Sequence, residues 1–218
     1  ASAPVPEILG AWSGLGYNRR ALALYRAAGI IAALPAAALP PDEVFLLGLP
    51  GVGPYTARAV LAFAFNIPGT FLETNIRTVI LKHYFPGREG VKDAELEKVA
   101  SEILDRESPR NWYNALMDCG AEIKRTEGNH SRRASGYVRQ APFASSFRRV
   151  RGAMLKYLLE HGSASLDEMR AALPFAMESL EKGADALASE GFAEYCDTGC
   201  CDEETGFAHG VARLKLSK

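Results

Sequence analysis

The chain has 218 residues, 48% hydrophobic and 23% charged, with a formal net charge of −1. That balance is ordinary for a globular protein and leaves room for one large core or two small ones. It excludes a membrane-spanning helix, since no run approaches the roughly 18 to 20 apolar residues required. No basic-then-apolar leader opens the chain, so a cytoplasmic protein is expected.

The first segment, Glu7 to Ala33, reads as helix interrupted at Gly14-Leu15-Gly16. Ala21, Leu22, Leu24, Tyr25, Ala28, Ile31 and Ala32 then recur at helical spacing. Leu34 to Pro41 is a Pro/Ala-rich connection. A helix with acids in its first turn starts at Pro41-Asp42-Glu43 and stops at Leu49. The next runs from Pro54 to Phe65. Further helices are expected over Asn75 to Tyr84, Asp93 to Leu104 and Asn111 to Ile123.

The character of the chain changes after Ile123. Residues 124–146 lack periodicity and are predicted to form an extended basic linker. Between Lys124 and Arg151 stand eight Lys or Arg and one acid, Glu127. Such a local excess suits phosphates even in a chain of balanced charge, although a solvated charge run has the same composition. Residues 147–218 then read as helices over Arg151 to His161, Ser165 to Ala172 and Ala176 to Glu190. Strands over Gly191 to Tyr195 and Val211 to Leu216 follow. Three helices followed by a two-stranded hairpin is a winged-helix-like order. Helix 176–190 and the wing, Asp197 to Glu204, are acidic, so packing or protein interaction stands beside DNA binding as a role for this unit.

Cys196, Cys200 and Cys201 form C-x3-C-C, and Cys119 stands apart. Structural zinc wants two ligand pairs, and no second pair is present even if His209 contributes. Free thiols, and no metal, are expected.

The most specific feature is Leu46-Leu47-Gly48-Leu49-Pro50-Gly51-Val52-Gly53-Pro54-Tyr55-Thr56-Ala57. Its glycines permit a tight turn and close approach of a ligand to the backbone. The following helix begins at once, so its free N–H groups face outward and suit an anion such as a DNA phosphate. The plain alternative is a glycine-capped turn between two helices.

This motif resembles the hairpin of the helix-hairpin-helix (HhH-GPD) superfamily of DNA glycosylases. Leu9-Gly10-Ala11-Trp12-Ser13-Gly14-Leu15-Gly16-Tyr17 is similar to the W-x-G-L-G-Y segment of the A/G-specific adenine glycosylases in that superfamily. Ile67 to Arg77 and Asn114 to Ala121 resemble two further segments of theirs, in the same order. The resemblance covers about residues 1–123. It implies a glycosylase domain over 1–123 that lacks its first helices; with the basic linker and the winged-helix-like domain read from the pattern, a mainly α protein is expected.

The resemblance also assigns roles. Glu73 stands where the family has a catalytic aspartate, whose charge stabilises an oxocarbenium-like transition state. Asn75 matches an asparagine that orients the carboxylate or sugar. The alternatives are support of the next helix for Glu73 and capping for Asn75. Tyr55 stands where bifunctional relatives carry a Schiff-base lysine, which implies a monofunctional enzyme; simple packing is its alternative. Tyr17 matches an aromatic wedge inserted beside the damaged pair. Leu49, Pro50, Gly51, Val52 and Gly53 are expected to hold the DNA backbone, together with Arg132 and Arg133.

Two departures matter. The family's general-acid glutamate lies upstream of the matched region, so this chain is expected to be either a fragment or a protein without that acid. The iron–sulfur cluster of many relatives is expected to be absent, because Lys124 occupies its first cysteine position and no cysteine occurs from 120 to 195. The expected partner is double-stranded DNA with a mismatched or oxidised base, bound by a nucleoid-associated monomer. The expected reaction is release of a mispaired base, adenine opposite 8-oxoguanine or guanine. The alternatives are a non-catalytic DNA-binding module and a mismatch thymine glycosylase.

Overall fold

The computed structural model describes residues 1–139, 142, 146–196 and 213–217. Two compact units divide the chain: unit 1 contains Ala1–Ala37 and Ala141–Lys218, unit 2 contains Ala38–Gln140.

Unit 2 is helical. It contains α3 (Glu43–Leu47), α4 (Pro54–Phe65), α5 (Thr74–His83), α6 (Asp93–Glu102), α7 (Pro109–Thr126) and a 3₁₀ turn over His130–Arg133. Asp42 caps α3 by accepting the Phe45 N–H at 2.8 Å. Pro54 and Pro109 open α4 and α7, where a missing N–H costs nothing. Asn66 stops α4 in the left-handed conformation, φ 56°. Its side chain then accepts from the Arg110 N–H and donates to the Glu107 carbonyl, tying the end of α4 to the start of α7. Ile76, Ile80, Leu81, Leu96 and Tyr113 are fully buried in the core. Each such side chain stabilises the fold by about 1.5 to 3 kcal/mol relative to exposure.

Helices α5 and α7 meet at Gly120. A Cβ there would fall 2.6 Å from the Asn75 carbonyl carbon and 2.7 Å from its Cα. Only glycine lets the two backbones approach so closely. The contact sets the position of the first turn of α5.

Unit 1 combines α1 (Val5–Ala11) and α2 (Arg19–Ala32) with α8 (Phe147–His161), β1 (Ser163–Ser165), α9 (Leu166–Ala172), α10 (Met177–Ser189), β2 (Ala193–Cys196) and β3 (Arg213–Leu216). The sheet is antiparallel in the order β1-β3-β2, with Leu214 opposite both Ala164 and Tyr195. Ser165 and Glu168 form a reciprocal cap at the start of α9. Val5, Leu9, Ala21 and Leu22 join Met154, Leu158, Leu180, Leu187 and Phe192 in one core. Glu190 accepts from the guanidinium groups of both Arg19 and Arg151.

The expected order of helices and strands is observed, with three local differences. Strand β1 is an addition, because three residues carry no periodicity to detect. Residues 124–126 continue α7, and 130–133 form the 3₁₀ turn, so part of the expected basic linker is ordered structure. Its Ser131 is buried, and the backbone pairs again at Val91, whose N–H donates to the Arg133 carbonyl at 3.1 Å and whose carbonyl accepts the Ser135 N–H at 2.9 Å. The first helices share a core with the C-terminal segment, a grouping that hydrophobic periodicity along the chain cannot reveal. The wing expected over 197–204, together with Cys200, Cys201 and His209, lies outside the described residues.

Candidate functional site

The hairpin expected from the glycines joins α3 to α4. Gly51 holds φ 74°, a conformation open to glycine and costly for most residues. Leu49 is buried and anchors the loop, and its carbonyl accepts the Val52 N–H at 3.1 Å. Gly53 precedes α4 with no side-chain cap. The first N–H groups of α4, those of Tyr55 and Thr56, therefore lack the helical acceptors that later ones have. One guanidinium braces the hairpin: Arg58 donates to the Glu43 carboxylate at 3.0 Å and to the Thr70 carbonyl at 3.1 Å. It thereby ties α3 and α4 to the segment that leads into Glu73.

Glu73 is half-buried and caps α5, its carboxylate accepting the Asn75 N–H. The alternative for Glu73, support of the next helix, thus describes part of its geometry. The capping alternative for Asn75 does not, because the Asn75 side chain turns to α7 and accepts from Lys124 Nζ at 3.1 Å.

Tyr55 stands on the first turn of α4 with its ring edge against Phe71, centroids 5.5 Å apart. Phe71 in turn stacks on Tyr113 at 4.0 Å, and the Tyr113 hydroxyl donates to the Gly69 carbonyl at 2.8 Å. Burial pushes the Tyr55 phenol up from its ordinary value, and the Glu73 carboxylate pushes it further. Tyr55 therefore stays protonated at neutral pH and within electrostatic reach of Glu73. It remains 45% exposed, so a ligand can meet it.

Unit 2 thus brings together Tyr55, Glu73, Asn75 and the hairpin residues Leu49 to Gly53. Tyr17 belongs to unit 1. It is exposed, adopts φ 51°, and borders a cavity of about 750 Å³ with Arg20, Arg151 and Leu155. The two arginines at 132 and 133 divide. Arg132 is exposed. Arg133 is half-buried and donates to the Leu81 and Phe85 carbonyls at 2.7 and 2.9 Å, closing the C-terminal end of α5.

Sequence reasoning missed Lys124 and Arg58 as parts of this arrangement. Lys124 was legible only as one cation of the basic segment and as a substitute for a cysteine, 49 residues from Asn75. Among the described residues no helix is long and apolar enough to cross a membrane.

A glycine hairpin and a helix-capping carboxylate are thus braced within one helical unit, and similar proteins indicate the family such a site suits. No family model matches the chain. It is 33% identical over 178 residues to an adenine DNA glycosylase of Mycolicibacterium smegmatis, a match spanning 72% of this chain and 59% of that protein. It is 35% identical over 127 residues to an adenine DNA glycosylase of Mycobacterium tuberculosis, covering 56% of this chain and 41% of that one. A Schizosaccharomyces pombe adenine DNA glycosylase is 33% identical over 119 residues, or 53% of this chain and 26% of that protein. These similarities support an adenine DNA glycosylase-like family for the chain. The chain spans less than two thirds of the length of these relatives.

Proposed function

We propose that this chain carries the catalytic carboxylate of a base-excision DNA glycosylase. The reaction is hydrolysis of the N-glycosidic bond of a mispaired base, with adenine opposite 8-oxoguanine or guanine as the substrate. The observation that carries the proposal is Glu73 at the start of α5, beside the protonated Tyr55 and in the same unit as the uncapped hairpin. As the glycosidic bond lengthens, positive charge develops on the sugar. A fixed carboxylate stabilises that charge without having to reorganise. Water completes the hydrolysis, and the mechanism is monofunctional because a tyrosine cannot form a Schiff base.

In this proposal the hairpin amides and Arg132 hold the DNA backbone, and Tyr17 fills the gap left by the extruded base. Arg133 serves the fold. The residues do not suit an iron–sulfur cluster: a lysine at 124 cannot supply a thiolate, and that lysine is engaged by Asn75. The proposed setting is a cytoplasmic monomer on double-stranded DNA.

Base release should be measured on duplexes carrying adenine opposite 8-oxoguanine. Glu73→Gln should slow it at least about 100-fold, the scale of losing one preorganised charge contact. Binding without release, of adenine here or of thymine from a G·T duplex, would make the chain a DNA-binding module. Thymine release alone would keep the glycosylase and change its substrate.

A further inference from the structure

We infer that Lys124 is a positioning residue that sets which way the Asn75 side chain faces. The inference rests on the proposed glycosylase site and deepens it.

Asn75 carries one acceptor, Oδ1, and two donors on Nδ2, and its amide can flip to exchange them. An ammonium group has donors only, so it selects Oδ1. Lys124 Nζ lies 3.1 Å from that oxygen. With Oδ1 held, Nδ2 and its two hydrogens are turned away from Lys124. Asn75 then presents donors, and the ligand it suits is an acceptor: a sugar or phosphodiester oxygen of the nucleotide being processed.

Three neighbours make this orientation stiff. Lys124 is half-buried on α7, one helical turn after Gly120. At Gly120 the backbone of α7 is pressed against the backbone of Asn75 itself. The Asn75 N–H is meanwhile donated to the Glu73 carboxylate. Backbone position, side-chain orientation and carboxylate are thus coupled through one residue. An apolar or thiol side chain at 124 would leave the amide free to flip.

The test uses the whole chain with nitrogen-15 in its asparagines, the Asn75 side-chain signal being assigned by its loss in Asn75→Ser. Lys124→Met should move that signal, Lys124→Arg should restore most of its position, and Lys98→Met, on α6, should leave it unmoved. An unmoved signal in Lys124→Met overturns the inference whether or not the chain is a glycosylase.

A second measurement compares binding to a duplex holding an uncharged abasic-sugar analogue with binding to the plain duplex. Lys124→Met should weaken only the former, about tenfold, and Lys124→Arg should recover part of it. Equal weakening on both duplexes, with a salt slope reduced by about one, would make Lys124 a phosphate contact and overturn the positioning role. Wild-type protein that fails to distinguish the two duplexes would count against the glycosylase reading, while the nitrogen-15 shift would still decide the Lys124–Asn75 contact.

Discussion

Unit 2 closes its core from one continuous stretch, whereas unit 1 needs residues 1–37 and the C-terminal segment together. The difference shows in what each core asks of the chain. In unit 2, Ile76, Ile80, Leu96 and Tyr113 come from α5, α6 and α7, three consecutive helices of one stretch. In unit 1, Val5, Leu9 and Leu22 must meet Met154, Leu158 and Leu187 across more than a hundred intervening residues. Such long-range closure is slower to form, although the entropic cost of the extra length grows only logarithmically. The candidate carboxylate site is thus set by contacts within one continuous stretch of chain.

Deleting residues 1–37 gives the largest expected effect. Val5, Leu9 and Leu22 each contribute about 1.5 to 3 kcal/mol of burial, which together approaches the stability of a small domain. In urea, the truncated protein should lose the unit 1 transition and keep that of unit 2. Loss of both transitions would break the distinction between a continuous and a discontinuous core.

Two buried glycines sharpen the same comparison. At Gly120 an added methyl meets backbone, the Asn75 peptide. At Gly183 it meets the Met154 sulfur, on a flexible side chain that can move aside. Gly120→Ala should therefore cost about 3 kcal/mol and Gly183→Ala about 1 kcal/mol, within the range for overpacked cores. Denaturant midpoints check the ranking. Only the first substitution should also disturb base release, because it displaces the residue that binds Glu73.

The smallest effect concerns pH. The hydrogen bonds from Arg77 hold the Asp93 carboxyl below the usual carboxylate range, partly opposed by desolvation. A depressed carboxyl stabilises the fold above its unfolded pKa and loses that stabilisation as pH falls through the folded value. Asp93 is half exposed, so the pair contributes less than about 1 kcal/mol. Arg77→Met should flatten the acid limb of unit 2 stability between neutral pH and the acid range, with no change in unit 1.

Much of the architecture was legible along the chain. Helical periodicity and prolines located most helices to within a few residues, and Leu49 to Gly53 marked the hairpin because a tight turn before a helix needs glycine. Glu73, Asn75 and Tyr55 were singled out as candidates by resemblance, since no local rule separates a carboxylate that meets a ligand from one that only caps a helix. Arg133 shows the converse. Its charge suggested DNA, and its side chain instead donates to the Leu81 and Phe85 carbonyls at the end of α5.

Local sequence by itself determined the elements whose causes lie within a few residues: amphipathic faces, caps and the glycine turn. Tertiary structure alone decided that the first helices share a core with the C-terminal segment. It alone showed that Gly120 admits the backbone of Asn75, and that Lys124 reaches its side chain. Those outcomes depend on helices far apart in the chain packing at close range, and neither composition nor periodicity encodes which distant residues will meet.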